Sequence, residues 1–215
     1  MVTQENLNTA EKLDYIMSLA FSVKDQFIKR LFVDLFSDYD WTQKFCHAPA
    51  AKLYHQAYEG GLLDHSLNVA VSANFIAESY PSLDRDLLIA GAILHDSGKA
   101  EELEYGQDAI AYTDAGRLLG HIVLGILFLE KKMSKIKDFP ETLRLKLLHM
   151  IASHHGQYEW QSPKRPKFLE AQVLHHIDMI DAAVDIFGKA LEERKDKESS
   201  WSDYIKGINR RVFCK

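Results

Sequence analysis

The sequence predicts an all-α protein, and three features of the 215-residue chain support this fold class. Apolar residues recur mostly at three- and four-residue intervals, the spacing that gives a helix one apolar face. Only five prolines interrupt this pattern, and the chain has no low-complexity tract. The content of 47% hydrophobic and 27% charged residues is that of an ordinary globular protein, and the chain is long enough for one large core. We therefore expect helices in nearly all of the chain.

The first half of the chain is expected to form three helical regions. The pattern of residues 9–38 predicts one long or two shorter amphipathic helices. A further helix begins at residue 61 or 62 and ends at residue 80, because Pro81 follows it. The Ser-Leu-Asp stretch after this proline opens a third region that reaches His95.

The rest of the chain contains two interruptions of the helical pattern. Around residues 103–112, apolar residues flank Gly-Gln-Asp, which predicts a small β-hairpin. The two prolines of residues 156–167 predict a loop. We expect residues 1–50 to form an N-terminal helical segment that packs on the core of a main domain at 51–215. Helical spacing is found again at 118–133, 141–155, 168–194 and 201–212.

Composition and charge exclude several classes of protein. No apolar run approaches the roughly 20 residues that span a bilayer, and the polar N-terminus does not resemble a secretion signal, so a cytoplasmic protein is expected. Cys46 and Cys214 lie far apart without zinc-ribbon spacing, which argues against a disulfide framework. The net charge of −5 argues against a broad nucleic-acid-binding surface but permits a local basic groove.

The placement of the histidines predicts a metal site. Five successive predicted helices each carry a histidine or a carboxylate among apolar residues. Burying so many ionisable groups costs several kcal/mol apiece unless partners compensate, and a divalent metal ion is a partner that imidazole and carboxylate both bind. Any one of these residues alone fits a capped or half-exposed core position equally well. The set consists of His65, His95, Asp96, His121, His154, His155 and Asp178.

This ordered set resembles the signature of the HD-domain metal-dependent phosphohydrolases. The resemblance is closer to the YhaM-type 3′–5′ exoribonucleases and extends over roughly residues 47–213. In those enzymes an OB-fold precedes the HD domain, whereas the first fifty residues here are helical in pattern, so this barrel is expected to be absent. The Gly-Tyr-Pro element of the HD-GYP branch is not found after the paired histidines. The stretches that carry the resemblance are Gly60–Leu67, Gly91–Lys99, Tyr112–Ile122, Ser153–Gly156 and Ser162–Pro166.

The resemblance implies an HD-domain helical bundle around a centre of two divalent transition-metal ions, which could be manganese, iron, cobalt, nickel or zinc. His65, His95, Asp96 and Asp178 would bind the first ion. Asp96 would bridge to a second ion, bound by His121, His154 and His155. Adjacent helical residues point about 100° apart, so His154 and His155 face one ion only if the helix ends there. A hydrogen bond to substrate or to a carboxylate is the alternative role for His155.

Basic residues near this set are candidates for contacts to substrate. Lys99 could present its ammonium to a phosphate or to the attacking water, and we count it as catalytic beside Asp96. Arg117 could bind a phosphate with both guanidinium nitrogens. Lys164 and Arg165, with Lys167, lie on a proline-flanked loop that could contact a phosphate backbone. Solvated side chains or surface salt bridges are the alternatives for all of these residues.

Three functions remain open from the sequence. The first is a metal-dependent phosphodiester hydrolase like a 3′–5′ exoribonuclease, acting on single-stranded nucleic acid. The second is a phosphohydrolase of a nucleotide or alarmone, which would need a closed pocket instead of an open groove. The third is a regulatory binding module without turnover. Single-stranded RNA or a nucleotide phosphate is the expected substrate, no membrane partner is expected, and assembly into a homo-oligomer is left open.

Overall fold

The computed structural model describes residues 7–52, 56–105, 109–192 and 198–215. It confirms the all-α fold class with one small hairpin. The helices are α1 (Thr9–Phe21), α2 (Gln26–Phe36), α3 (Tyr39–His47), α4 (Gly61–Ser79), α5 (Arg85–Leu94), α6 (Lys99–Glu102), α7 (Asp114–Met133), α8 (Glu141–Ser153) and α9 (Leu169–Glu192).

Acidic and polar side chains fix where several helices begin. The stretch 9–38 is two helices, because the Asp25 carboxylate accepts hydrogen bonds from the backbone N–H groups of Phe27 and Ile28 and so caps the start of α2. Asp84 and Thr113 cap α5 and α7 in the same way. By fixing where α5 and α7 begin, these caps also determine which residues lie at the end of α5 and in the middle of α7, where residues of the candidate site are found.

The predicted hairpin consists of β1 (Leu103–Tyr105) and β2 (Ile110–Tyr112), which pair antiparallel with Leu103 opposite Tyr112. The Gly-Gln-Asp turn that suggested it lies outside the described residues. The backbone N–H of Thr113 donates to the carbonyl of Glu102 over 3.0 Å. This bond closes the hairpin onto the start of α7.

The apolar core is built around α4 and α5, which α1, α8 and α9 contact. Ile16, Phe32 and Phe45, one from each of α1, α2 and α3, are fully buried in the same apolar cluster. The N-terminal helices thus pack on the core that positions the site. The domain boundary near residue 50 stays a prediction.

The expected last helix at 201–212 is wrong. Trp201 pairs antiparallel with Phe213, Ile205 pairs with Arg210, and a short 3₁₀ turn joins the two arms. Apolar residues at four-residue spacing suggested a helix, but of these only Val212 is buried, so no core contact stabilises a helical face. Ring packing between Trp201 and Phe213, with centroids 5.3 Å apart, favours the folded-back tail instead.

Helix α9 is described to Glu192, so its predicted end near residue 194 lies outside the described residues. Among the described helices, none is both long enough and apolar enough to cross a bilayer.

Candidate metal centre

Five helices bring the predicted histidines and carboxylates to one place. His65 lies in the second turn of α4, and His95-Asp96 follow the last turn of α5. His121 lies in α7, His154-His155 follow α8, and Asp178 lies in α9. His65 and His95 are 0% exposed and Asp96 is 2% exposed. The cluster is therefore part of the protein interior.

One half of the cluster, here called the inner group, consists of His65, His95 and Asp178. The Nε2 atoms of the two histidines lie 3.0 Å apart, and His65 Nε2 lies 3.3 Å from Asp178 Oδ1. Asp96 Oδ2 lies 3.4 Å from His65 Nε2 and 3.5 Å from His95 Nε2. Asp96 Oδ2 therefore lies beside both histidines of the inner group.

The other half, the outer group, consists of His121, His154 and His155. Its donor nitrogens all lie within 4.8 Å of one another. Asp96 Oδ1 lies 3.5 Å from His121 Nε2 and 3.4 Å from His154 Nε2. The two oxygens of Asp96 therefore face different groups, which is the arrangement of a bridging carboxylate.

Hydrogen bonds fix the orientation of the imidazoles. The Nδ1–H groups of His95, His154 and His155 donate to the carbonyls of Ala92, Ile151 and Trp160 over 2.7–2.9 Å. His65 Nδ1–H donates to Asp181 Oδ2 over 2.7 Å. An imidazole whose Nδ1 is a donor can present the lone pair of Nε2 to a metal ion.

Unsatisfied buried atoms test whether a cation fits here. Among the described residues, Asp96 Oδ1, His121 Nε2 and His154 Nε2 are buried without a hydrogen-bond partner. Each such atom costs about 1–3 kcal/mol. Ligands with bonds of about 2.1 Å to one ion lie roughly 3.0–3.5 Å apart. Six separations of 3.0–3.5 Å meet this condition, and a seventh, 3.9 Å between His95 Nε2 and Asp178 Oδ1, is slightly longer. The donor set therefore fits a divalent ion in each group.

The local charges favour anionic carboxylates and mostly neutral imidazoles. Burial opposes ionisation of Asp96, but Lys99, whose Nζ lies 2.6 Å from Asp96 Oδ2, holds the pKa of that carboxyl well below its usual value. Burial lowers the pKa of His95 to about 4, and burial with the neighbouring His154 and His121 lowers the pKa of His155 to about 3. His65 differs: burial lowers its pKa, but hydrogen bonds to Asp178 and Asp181 raise it more, to about 10.

Glu102 is a site residue that the sequence did not single out. Its carboxylate accepts hydrogen bonds from the backbone N–H of His121 over 3.0 Å and from the ring Nδ1–H over 3.3 Å. Gly120 makes this contact accessible, since its φ of 71° kinks α7 immediately before His121. Acidic residues are common in such short helices, so no sequence pattern distinguishes Glu102.

His175 is a second site residue that the sequence-based prediction does not include. Its Nδ1–H donates to the carbonyl of His154 over 2.7 Å, and it is 5% exposed. Gly156, with φ 77°, packs against the His175 ring. A Cβ at this position would lie only 2.3 Å from a ring atom, so the close contact requires glycine. Helix α8 ends at Ser153, and the rings of both His154 and His155 lie beside the His121 ring, with centroids 5.6 and 5.2 Å away.

A cleft of about 520 Å³ opens beside the outer group. Lys99, His121 and His155 line it, with Leu119, Tyr112 and Lys52. Pro163 also lines it, and the exposed Lys164 and Arg165 follow directly on the same loop. The Arg165 guanidinium lies 5.0 Å from the centroid of the Tyr158 ring.

Two further basic candidates, Arg117 and Lys167, do not line this cleft. Arg117 is exposed in the first turn of α7, two residues before the cleft-lining Leu119. Lys167 lines a separate groove with Phe168 and His149, and its backbone N–H donates to His149 Nε2. The loop therefore does not present its three basic residues on one surface.

The chain is similar to several bacterial proteins that share one name. The 3′-5′ exoribonuclease YhaM of Bacillus licheniformis is 38% identical over 206 residues, which is 95% of this chain and 63% of the relative. The protein of the same name from Bacillus subtilis is 39% identical over the same shares, and that from Listeria monocytogenes is 36% identical over 96% of this chain and 64% of the relative. The chain thus spans a little under two thirds of these relatives. No solved structure matches it significantly.

The profile of the HD domain family matches residues 62–183. The match begins at the start of α4 and ends within α9, so it includes every member of the inner and outer groups. Because it covers more than half of the chain, the protein belongs to the HD domain family.

Proposed function

We propose that this protein is a metal-dependent phosphodiester hydrolase that removes nucleotides from the 3′ end of single-stranded RNA. The observation that carries the proposal is the placement of two donor groups on the two oxygens of one buried carboxylate, Asp96. Two-metal sites of this kind hydrolyse phosphate esters. The direction and the RNA substrate rest on the printed names of the relatives.

In this proposal His65, His95 and Asp178 would hold one ion, His121, His154 and His155 would hold a second, and Asp96 would be a ligand shared between them. Manganese, iron, cobalt, nickel and zinc all accept imidazole and carboxylate ligands. Bound ions of this type would bind phosphate oxygens and lower the pKa of water. The protein's own part is to fix these donors by hydrogen bonds and burial before the substrate arrives.

Lys99 has a separate role in the proposed reaction. Its ammonium lies 2.6 Å from Asp96 and also lines the cleft, so it can contact a phosphate oxygen that enters there. A cation held in place stabilises negative charge that develops during hydrolysis. Lys164, Arg165 and Arg117 are proposed to contact the strand outside the cleft, because all three are exposed near its lining residues.

Turnover with defined substrates tests the proposal. Single-stranded RNA labelled at its 5′ end, incubated with Mn²⁺, should shorten in single-nucleotide steps, and a chelator should stop the reaction. Asp96→Asn should lower the rate by at least about a thousandfold, and Lys99→Ala by roughly 10²–10³, the loss typical of one charge-stabilising donor. Asp40→Asn, an exposed carboxylate in α3, is the control and should act like the wild type. Normal turnover in Asp96→Asn would disprove the proposed centre.

The size of the cleft favours a second candidate, a nucleotide or alarmone phosphohydrolase. A volume of about 520 Å³ lies in the range of small-molecule pockets. Parallel assays with single-stranded DNA, mononucleotides and guanosine tetraphosphate decide between the candidates. Rapid hydrolysis of a free nucleotide, with intact RNA, would favour the second.

The proposal includes a cytoplasmic location and self-association. Exposed apolar residues on α9 recur at the alternating spacing of four and three that pairs helices. They are Ile180, Val184, Phe187 and Leu191. Light scattering should give more than one chain per particle, and Val184→Lys should return a monomer. A monomeric wild type at micromolar concentration would remove this part of the proposal.

A further inference from the structure

The cleft beside the outer group contains two side chains that the proposed chemistry does not use. Lys52 and Tyr112 line it together with Lys99, His121 and His155. The Lys52 ammonium lies 5.3 Å from the centroid of the Tyr112 ring, and Tyr112 is 37% exposed. Both side chains can therefore be reached by a ligand that enters the cleft.

The hairpin connects Tyr112 to the candidate metal centre. Tyr112 pairs with Leu103, and both residues line the cleft. The adjacent Thr113 N–H donates to the Glu102 carbonyl, while the Glu102 carboxylate binds His121. A ring on this strand is thus positioned relative to the outer group by a short series of hydrogen bonds.

The charge and shape of the cleft indicate the chemical class of its ligand. Lys52 and Lys99 contribute two ammonium groups, whereas the Glu102 carboxylate is already engaged by His121. Tyr112, Leu119 and Ile122 supply an aromatic and aliphatic lining. A cleft of about 520 Å³ holds one small ligand. These properties fit a planar base with phosphate at either side.

We propose that the cleft is a nucleotide subsite: it binds the nucleotide next to the scissile phosphate, with the base against Tyr112 and a second phosphate at Lys52. The inference rests on the proposed function for the position of the scissile phosphate at the outer group. An exposed cation–π contact is weak, so Lys52 can leave the ring for a phosphate. Stacking of a base on an aromatic side chain is stronger than this contact.

Three dinucleotides test the phosphate contact. ApA contains only the scissile phosphate, pApA adds a 5′ phosphate, and ApAp adds a 3′ phosphate. The wild type should have a kcat/KM about tenfold higher for one of the extended dinucleotides than for ApA, the effect of one charge-assisted hydrogen bond. Lys52→Ala should abolish this gain and leave ApA unchanged. The extended dinucleotide that shows the gain identifies whether the subsite holds the strand side or the leaving nucleotide.

A matched control is available in Lys146, whose ammonium also lies over an aromatic ring, that of Phe168, in the separate groove. Lys146→Ala should preserve the gain. If the wild type does not distinguish the three dinucleotides, or if Lys52→Ala slows all of them equally, the phosphate contact is disproved.

Tyr112 is tested by removing and then restoring the ring. Tyr112→Leu should raise the KM for the preferred dinucleotide about tenfold, while Tyr112→Phe should stay near the wild type because it keeps the stacking face. A dinucleotide with an abasic unit at the subsite should respond to neither change. An equal loss in Leu and Phe variants would contradict stacking.

Binding measurements separate this inference from the proposed hydrolysis. Calorimetry with the protein loaded with Ca²⁺ or left without metal reports binding of ApA, pApA and ApAp without turnover. A preference that depends on Lys52, in a protein that hydrolyses none of them, would support the subsite and reject the hydrolase. Hydrolysis without any such preference would reject the subsite alone.

Discussion

The histidines of the candidate centre have different pKa values, although their side chains are chemically identical. His95 and His155 are neutral near pH 7, because burial lowers their pKa values to about 4 and about 3. For His65, burial is outweighed by Asp178 and Asp181, and its pKa rises to about 10. Its imidazolium can donate from Nε2 toward His95 Nε2 at 3.0 Å. In the metal-free protein this proton supplies positive charge to the inner group.

Metal binding is therefore expected to release a proton from His65. The metal-free His65 is protonated below pH about 10, and its Nε2 must be free of a proton to bind an ion. The apparent affinity should rise about tenfold per pH unit between pH 7 and 9, since one proton is displaced. Calorimetry at pH 7.5 in two buffers of different ionisation enthalpy measures this proton. Asp181→Asn should reduce the pH dependence, and equal heats in both buffers would contradict the assignment.

Glu102 should act by positioning His121. Glu102→Ala removes the acceptor for both the backbone N–H and the ring Nδ1–H, so affinity at the outer group should fall roughly 10–100-fold. Glu102→Gln keeps one acceptor oxygen and should retain most of the affinity. The control is Glu101→Ala, which removes an exposed carboxylate paired with Lys44. Manganese titration followed by electron paramagnetic resonance measures both groups; equal losses in the Glu101 and Glu102 variants would refute the role.

At the scale of elements, sequence patterns predicted most helices but not the contacts between them. His65, His95 and Asp178 could be found because a polar residue in an apolar helical run is conspicuous. Glu102 and His175 could not, since the role of Glu102 depends on α6 packing against α7, and that of His175 on α9 packing against the end of α8. Apolar spacing predicts a helix for the tail from Trp201. The prediction is wrong because spacing alone does not show whether the apolar face will be buried.

The end of α8 offers a test of such a contact. Gly156→Ala places a Cβ within 2.3 Å of the His175 ring at a φ of 77°, so we expect a loss of about 1–3 kcal/mol in the free energy of unfolding. Gly188→Ala is the matched control, because Gly188 lies inside α9 with no atom within 4 Å of the added Cβ. It should stabilise by about 0.5–1 kcal/mol. Urea unfolding gives both values, and equal shifts in the two variants would contradict the packing.

At the scale of the whole molecule, the N-terminal helices and the HD region share one apolar core. Ile16, Phe32 and Phe45 lie in the same buried cluster as Leu88 of α5. The family profile begins at residue 62, so its boundary does not mark a break in this core. Sequence periodicity located both regions, but only the packing joins them.

Unfolding should therefore be a single transition. Trp41 is 4% exposed, whereas Trp160 and Trp201 are 49% and 52% exposed. In a variant with the latter two replaced by Phe, fluorescence reports the N-terminal helices and circular dichroism reports all helices. The two melting curves should coincide. A lower Tm by fluorescence would mean that residues 1–50 unfold independently.

We propose that each group holds one metal ion beside Asp96, and anomalous diffraction from crystals grown with Mn²⁺ tests this proposal most directly. Data collected on both sides of the manganese absorption edge should show two peaks about 3.5–4 Å apart, one within the inner group and one within the outer group. Asp96→Asn crystals should lose at least one of these peaks. Peaks elsewhere on the protein, with none beside Asp96 at saturating Mn²⁺, would contradict the claim.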